Sequence, residues 1–421
     1  MHRLFFSIFL LTLSCIYANA INKVDTRTQI FNPNFKTLQV TVEGNELFPP
    51  VINLDGSTKI NISFDELSTD MRYLRYSLTH CNADWQPSQL IDSEYIDGFN
   101  YANVEDYSFS SGTFANYVHY NIGVPNENMK FTKSGNYLLS VYPEDNPDNI
   151  LLQARFSVSE NQVKVYPDIT SRTDIDYNDK NQQVSFSIAT QDYPIRDLYN
   201  DLQVVVSQNS RSDNEVEVTR PLLVENKKAT FEHNKSLIFP AGNEYRRFEV
   251  VATNYAGMGV EAIEHHNPYY HIILAQSEPR VGSPYSYDKT QNGRFKIRQS
   301  SALDSETNAD YVIVHFTLDM PQQVGGDIYV DGDFTYNIFN NTNKLAFNPA
   351  TGKYEISMFL KMGSYNYQYL WVPTGAARGE TSKIEGDKYQ TVNEYLIKVY
   401  HRPIGERYDR LIGFGIGFSG R

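Results

Sequence analysis

Cysteine is scarce in this sequence. The chain of 421 residues contains 2 cysteines, and the first, Cys15, lies in an apolar N-terminal segment. If that segment is removed, Cys81 is the single cysteine left, so no disulfide can form within the chain. Free cysteine is among the residue types most often buried, and Cys81 follows a strand-like run. We therefore expect a structural thiol and a fold that depends on ordinary packing, for which the chain is long enough.

Long apolar runs are also scarce, and the one present lies at the N-terminus. Leu4 to Ile16 is apolar but too short to span a bilayer as a helix. The small-residue sequence Ala18-Asn19-Ala20 follows it, which predicts a signal peptide over residues 1–20 and a mature chain from Ile21. A membrane anchor and a lipid on Cys15 are the alternatives. The polar sequence after the small-residue site favours cleavage, and no later run predicts direct membrane insertion.

Basic residues are in the minority. The sequence has 37 Lys and Arg against 50 Asp and Glu, for a formal net charge of -13. Proteins that bind nucleic acid need a basic face, so this composition disfavours that class of partner. The acidic balance aids solubility but identifies no partner.

Motifs for catalysis and metal binding are missing. The sequence has no G-x-S-x-G, H-E-x-x-H, Walker A or C-x-x-C pattern. A calcium-like loop starts at Asp174, but Asp179 stands where glycine is needed and Ser185 where a bidentate Glu belongs. His265 and His271 would share a strand face about 20 Å apart, too far for one zinc ion. We predict no enzyme activity, no cofactor and no metal; a hydrolase with paired carboxylates is the alternative.

Helical periodicity is absent, while short apolar runs alternate with turn residues along the whole chain. This pattern predicts an all-β protein of several linked immunoglobulin-like β-sandwich domains. We expect an N-terminal domain over residues 21–160, a middle domain over 161–277 and a C-terminal domain over 278–421. The last boundary rests on a Pro- and Gly-rich linker that starts at Glu278. The glycine-rich run Gly413–Gly417 is expected to be a flexible or strand-like tail.

The C-terminal third carries a distinctive series of motifs. Gly326–Thr335, Gly352–Ile356 and Gly363–Tyr369 resemble the early-set immunoglobulin domains related to glycogen-binding modules. Tyr336 and the residues after it replace the tryptophan expected there. The resemblance implies a structural sandwich, with periplasmic glycan binding as the alternative function. An exposed aromatic platform would favour glycan binding, whereas burial of Tyr336 and Trp371 would count against it.

Further strings of aromatic and polar residues extend over nearly the whole mature chain. They are Phe31–Asn34, Ser63–Leu67, His80–Ser88, Glu94–Phe99, Thr173–Tyr177, Tyr193–Arg196, Leu237–Phe248, Asn267–His271, Ile384–Thr391 and Arg407–Gly413. In combination they resemble the type IX secretion system plug protein family of the Bacteroidetes, formerly a domain of unknown function. The resemblance implies a non-enzymatic periplasmic protein. Its expected role is to dock on the large outer-membrane β-barrel translocon, at the inner face of that membrane, and to seal its periplasmic opening.

The contact surface with this partner is predicted from residue type. Tyr193, Arg196, Arg246 and Arg247 lie in strings shared with the family, and Tyr and Arg are enriched at protein interfaces. We therefore predict these four residues as partner-binding. Ion pairs within the chain and strand packing are the alternative for each of them. The sequence leaves the oligomeric state open.

Overall fold

The computed structural model describes residues 24–420. The predicted signal peptide over residues 1–20, its cleavage site and Cys15 lie outside the described residues. Within the described part, the chain is almost entirely β-strand, which confirms the predicted fold class. No helix of this part is long and apolar enough to cross a bilayer.

The N-terminal sandwich contains twelve strands and one helical turn, α1 (Asp92–Tyr95). The strands are β1 (Gln29–Ile30), β2 (Phe35–Val42), β3 (Val51–Asn53), β4 (Ile60–Glu66), β5 (Leu74–Cys81), β6 (Ile96–Gly98), β7 (Ala102–Asn103), β8 (Asp106–Phe109), β9 (Val118–Val124), β10 (Met129–Phe131), β11 (Gly135–Pro143) and β12 (Leu152–Ser159). One main sheet has the order β1-β12-β11-β5-β7 and the other β2-β4-β9-β8. Alternate residues of β5 point into the core between them, as the period of a half-buried strand requires.

The middle sandwich begins directly after β12. Its first strands are β13 (Lys164–Thr170), β14 (Asn181–Ala189), β15 (Leu202–Gln208), β16 (Val216–Val218), β17 (Leu223–Glu225), β18 (Lys228–Phe231) and β19 (Ile238–Pro240), with 3-10 turns at Ser212–Asn214 and Lys235–Leu237. One sheet has the order β13-β14-β18-β17. The other, β16-β15-β29-β30, is completed by the last two strands of the chain, β29 (Glu394–His401) and β30 (Arg410–Phe418).

In sequence, the strands of the third sandwich lie between β19 and β29 of the middle sandwich. Its strands are β20 (Arg246–Val250), β21 (Val260–His266), β22 (Tyr269–Leu274), β23 (Phe295–Ile297), β24 (Tyr311–Leu318), β25 (Gly326–Asp331), β26 (Ala346–Asn348), β27 (Lys353–Lys361) and β28 (Gly363–Pro373), with the turns α2 (Ser305–Asn308) and Asp333–Thr335. Its sheets have the orders β20-β28-β23, with β25 also on β28, and β21-β22-β24-β27-β26.

Strands on opposite sides of the boundary predicted between residues 277 and 278 pair with each other. Strand β20 pairs with β28 and β22 pairs with β24, so strands from both sides of that boundary form the same sandwich. Strand β29 returns to pair with β15 of the middle sandwich. Sequence reasoning assumed one continuous segment per domain, whereas this pairing supports a third sandwich inserted into the middle one. The predicted boundary at residue 160 falls between β12 and β13.

Cys81 ends strand β5 and is fully buried beside Trp85 and Leu138. Burial raises the pKa of its thiol to about 12, since the thiolate would lose its hydration. The side chain therefore packs as a small hydrophobe, as expected from the sequence.

Alternate glycines on β30 allow two sheet edges of the middle sandwich to approach closely. Gly413, Gly415 and Gly417 share one face of β30. A Cβ added at Gly413 would lie 2.6 Å from Val163 Cγ2, and one added at Gly415 would lie 2.8 Å from Val165 Cβ. Because no larger residue fits against β13, this run is a packed strand rather than a free tail.

We expect Gly415→Val to destabilise the protein. The added side chain overlaps Val165, and overpacking of this kind costs about 1–3 kcal/mol. Chemical denaturation monitored by circular dichroism measures the change. Gly282→Val is the matched control, because a Cβ at Gly282 meets nothing within 4 Å. Equal stability of the two variants would contradict this account of the β13–β30 contact.

Candidate functional site

Two of the predicted contact residues, Tyr193 and Arg196, lie in the loop between β14 and β15. The Tyr193 hydroxyl is 3.0 Å from His401 Nδ1, and the two rings meet edge to face. Tyr193 is half-buried against the middle core. Arg196 is exposed, and its guanidinium makes no hydrogen bond or ion pair with the described residues.

The other two predicted contact residues, Arg246 and Arg247, lie on β20 in the third sandwich. Arg246 Nε donates to Glu385 Oε1 at 2.9 Å, and its Nη2 donates to the Glu278 carbonyl at 2.7 Å. Arg247 binds the two carboxylate oxygens of Asp288 at 2.9 and 2.6 Å. Both arginines therefore make the internal ion pairs that were the alternative expectation. The structure does not gather the four residues into one cluster, because they belong to two sandwiches.

The crossover between the middle and third sandwiches is built by two of the sequence strings that resemble the family. Gly242 N donates to Asp387 Oδ1 at 3.1 Å, and Lys388 N donates to the Gly242 carbonyl at 2.7 Å. Asn243 Nδ2 donates to the Glu385 carbonyl at 2.9 Å. The outgoing and returning segments of the chain are thus bonded to each other.

Glu385 is the charged centre of this crossover. Its carboxylate is fully buried and accepts from Arg246, from Arg280 at 2.7 Å and from Tyr369 N at 2.8 Å. Burial opposes ionisation, but the two guanidinium groups outweigh burial and hold the pKa of Glu385 below its usual value. A buried carboxylate with several charge-assisted hydrogen bonds holds the returning segment against β20 and β28.

A second junction joins the N-terminal and middle sandwiches through two more of the strings. Ala83 N donates to Asp409 Oδ2 at 3.0 Å, and Asp409 N donates to Asn82 Oδ1 at 3.2 Å. The His80 ring meets Tyr408 edge to face at 5.3 Å between centroids. Regions more than 300 residues apart in sequence therefore pack as one surface.

A third junction joins the N-terminal and third sandwiches around Asp65. One carboxylate oxygen, Oδ2, accepts from Lys361 Nζ at 2.7 Å and from the Tyr311 hydroxyl at 2.6 Å. The other, Oδ1, lies 2.6 Å from His119 Nδ1. His119 Nε2 forms an ion pair with Glu306 Oε2 at 2.7 Å. Asp65 and Lys361 are 0% and 1% exposed, so the pair is enclosed.

The charges of this third junction depend on one another. Burial works against the imidazolium of His119, but Asp65 and Glu306 outweigh burial and raise the pKa of His119 to about 9. Burial also opposes ionisation of Asp65, yet Lys361 and His119 hold its pKa below the usual value. Burial dominates at Lys361 and lowers its pKa despite the Asp65 carboxylate. The set is therefore two cations around a shared carboxylate, in the interior of the protein.

An Asp, a His, a Lys and a Tyr within hydrogen-bond distance resemble an acid–base set. Asp65 is fully buried and its two oxygens are bonded to Lys361, Tyr311 and His119, so the arrangement joins the two sandwiches. Among residues 24–420, no three or more His, Cys, Asp or Glu side chains are placed to bind a metal ion. In the calcium-like loop, Asp174 instead accepts from Gln183 Nε2 at 2.7 Å. His271, considered above as a zinc ligand, has its Nδ1 2.8 Å from His315 Nε2.

The aromatic residues considered for glycan binding are not on an open platform. Trp371 is 8% exposed, and Lys383 Nζ lies 3.0 Å from its ring centroid. The Tyr336 hydroxyl accepts from Leu38 N at 3.1 Å, and its ring packs against the N-terminal core. Both observations count against the glycan-binding alternative.

Sequence reasoning missed Asp65, His119 and Lys361 as a group. One signal was available: each is a charged or titratable residue inside an apolar strand run, where burial without a partner would be costly. Their partners are 296 and 54 residues away in sequence, so the pairing itself could not be read from the chain.

We expect the stability contributed by His119 to depend on pH. Its folded pKa of about 9 exceeds the unfolded value of 6.5, so the contribution is complete below about pH 6.5 and is lost as the pH rises through 9. His119→Asn should therefore cost on the order of 3 kcal/mol at pH 6, at about 1.4 kcal/mol per pKa unit, and much less at pH 9.5. Urea denaturation at both values measures this.

The exposed His266→Asn variant is the control for the His119 experiment. Its ring is 61% exposed beside Glu264, so the change should stay within about 0.5 kcal/mol at both pH values. A cost for His119→Asn that does not fall between pH 6 and 9.5 would contradict the assigned charge network.

A family model and a solved structure are similar to this chain. Residues 35–160 match the family model "Type 9 secretion system plug protein 1st domain". The crystal structure of a hypothetical protein from Parabacteroides merdae ATCC 43184 is 44% identical, with a TM-score of 0.93, and the match covers 94% of this chain and 100% of that one. No match was found among proteins with curated descriptions. These findings confirm the resemblance seen in the sequence, and the chain belongs to the type 9 secretion system plug protein family.

Proposed function

We propose that this protein is a non-enzymatic plug that docks on the periplasmic opening of the outer-membrane translocon and seals it. Family membership gives a role in type IX secretion on its periplasmic side. The finer statement, closure of the channel, is supported by the three buried junctions. A cover for a wide pore has to resist bending, and sandwiches joined by enclosed ion pairs cannot move apart without exposing unpaired charges.

Each sandwich contacts the other two through buried groups. The Asp65 cluster joins the first to the third, the Asp409 contacts join the first to the middle, and the buried Arg294–Glu394 ion pair joins the third to the middle. Three bodies joined pairwise form a closed triangle, which is stiffer than three domains in a line on flexible linkers. This closed arrangement is the single observation that carries the proposal.

Two surface regions have the chemistry for contact with the partner. The first is the predicted one, where Arg196 is exposed and makes no hydrogen bond or ion pair within residues 24–420, and Tyr199, three residues later, is 42% exposed. The second lies on the N-terminal sandwich, where Phe99 and Tyr101 are 68% and 54% exposed and their rings are 6.0 Å apart. Exposed aromatics and arginine are the residues most enriched at binding hot spots. Of the two, we propose the loop at Arg196 as the contact.

A photo-crosslinking amino acid placed at position 196 should attach the protein to a very large barrel in native envelopes. The same amino acid is placed at position 101 in a second experiment, and a strain without the translocon is the control for both positions. Crosslinks to the barrel from position 101 and none from 196 would reject the proposed contact surface. No barrel crosslink from either position would count against docking itself.

Deletion of the gene should make the outer membrane more permeable to large antibiotics. The effect should require an intact translocon, because the leak is through its open channel. Minimum inhibitory concentrations in four strains, with and without each component, measure it. Equal sensitivity with and without this protein, in cells that keep the translocon, would defeat the sealing proposal.

A further inference from the structure

A cavity of ≈ 190 Å³ lies where the three sandwiches meet. The N-terminal sandwich contributes Trp85 and Arg155 to its lining, the middle sandwich contributes Ser210 and Lys398, and the third contributes Tyr336. An apolar cavity of about 150 Å³ is enough to hold benzene. The space is therefore large enough for one small organic molecule, which would touch all three bodies.

Three hydrogen-bond donors of the lining have no acceptor within the described residues. Trp85 Nε1 and Ser210 Oγ are buried and unpartnered. Lys398 is 4% exposed, and its ammonium forms no hydrogen bond or ion pair; it lies 4.8 Å from the Trp85 ring centroid. Buried donors are rarely left without a partner, since each costs about 1–3 kcal/mol. Their grouping around one cavity points to an acceptor that enters from outside the chain.

A second cation stands beside them. Arg155 also lies over the Trp85 ring, with its Cζ 4.3 Å from the ring centroid, and it donates to the Thr26 carbonyl and hydroxyl, both at 2.7 Å. Neither Arg155 nor Lys398 is ion-paired in the described part of the chain. Glu215 also lines the cavity and acts on both cations through space, without a direct contact. Two basic side chains therefore stand near one carboxylate at this end of the cavity, and burial lowers the pKa of the Lys398 ammonium.

Two other charged residues of the lining, Glu46 and Arg294, are already in ion pairs. Glu46 is paired with Lys296 at 2.7 Å, and Arg294 is paired with Glu394 at 2.6 Å. Asp333 lies near Arg294, but burial raises the pKa of its carboxyl to about 6, so a fraction is protonated near neutral pH. A ligand would meet an attractive field at the end with Trp85 and Lys398.

The backbone at this end is held in a strained form. Trp85 has φ 63° and Ser210 has φ 56°, both in the left-handed region that favours glycine. Such strain persists where the surroundings force it and is concentrated at binding sites. Here the two strained residues, Trp85 and Ser210, carry the unpartnered donors Nε1 and Oγ, and both residues line the same cavity.

We propose that this cavity binds one small organic carboxylate with an aromatic or branched apolar body. Its carboxylate would accept from Lys398 Nζ, Trp85 Nε1 and Ser210 Oγ, and its body would lie against apolar side chains. These are Leu38, Val40, Phe48, Phe156, Phe295 and Leu396. The apolar lining explains why a body is needed in addition to the charge. The ligand stabilises the joint arrangement of the three sandwiches, because it contacts all of them.

Benzoate is the probe, and benzyl alcohol, which has the same ring without the charge, is its matched comparison. Isothermal titration calorimetry of the mature protein should give one benzoate site, with benzyl alcohol at least about tenfold weaker. Acetate should also bind more weakly, since it lacks the ring. No benzoate binding at millimolar concentration, or equal binding of benzyl alcohol, would overturn the proposal.

Lys398→Met tests the role of the ammonium. We expect at least about a tenfold loss of benzoate affinity, since a charge-assisted hydrogen bond is removed. The free protein should not lose thermal stability, because an unpaired buried charge is replaced by an apolar side chain of similar length. Lys383→Met is the control, since Lys383 also lies over a tryptophan ring, Trp371, outside the cavity lining. Its benzoate affinity should be unchanged.

Ser210→Ala provides a second variant if Lys398→Met fails to fold. It removes one unpartnered donor and should reduce benzoate affinity without lowering the melting temperature of the free protein. Unchanged affinity in both Lys398→Met and Ser210→Ala would show that benzoate, if it binds, occupies another site, which would overturn the proposal.

Discussion

The rest of the structure depends on charges that are enclosed where two sandwiches meet. Asp65 lies on β4 of the N-terminal sandwich, and Lys361 ends β27 of the third. Removing one member of a buried ion pair typically costs about 3–5 kcal/mol, because the remaining charge keeps its dehydrated position without compensation. Separation of the two sandwiches would do the same to Asp65, Lys361 and His119 together. The N-terminal and third sandwiches therefore stay in one relative position.

The other two junctions follow the same physical rule with different groups. Glu385 needs the guanidinium groups of Arg246 and Arg280, and Asp409 needs the backbone donor of Ala83. These groups lie where separate segments of the chain meet, and they hold those segments together. This is what a cover over an opening requires, and the closed triangle of contacts links the fold to the proposed role.

Much of the fold could be predicted from the sequence, because turn-separated strand runs report local geometry directly. The β5 and β14 runs alternate as a half-buried strand must, and Cys81 is buried as its position indicated. The return of β29 to β15 could not be predicted, since hydrophobic period gives a strand but not its neighbour. For the same reason the pairing of Arg246 with Glu385 could not be predicted, since the two residues are 139 positions apart in sequence. Pairing over such distances is decided by tertiary packing.

Four of the strings that carry the family resemblance now have a physical explanation. His80–Ser88 packs on Arg407–Gly413, and the string ending at Phe248 is bonded to Ile384–Thr391. They are dense in aromatic and polar residues because a junction needs both buried area and satisfied hydrogen bonds. Arg246 and Arg247, which the sequence predicts as partner-binding, form ion pairs with Glu385 and Asp288 within the chain.

Electron cryomicroscopy of native complexes, purified from envelopes through a tag on this protein, tests the central claim most directly. The account predicts a very large β-barrel whose periplasmic opening is covered by three sandwiches in one fixed arrangement. Barrels recovered with this protein bound elsewhere and the opening uncovered would contradict it.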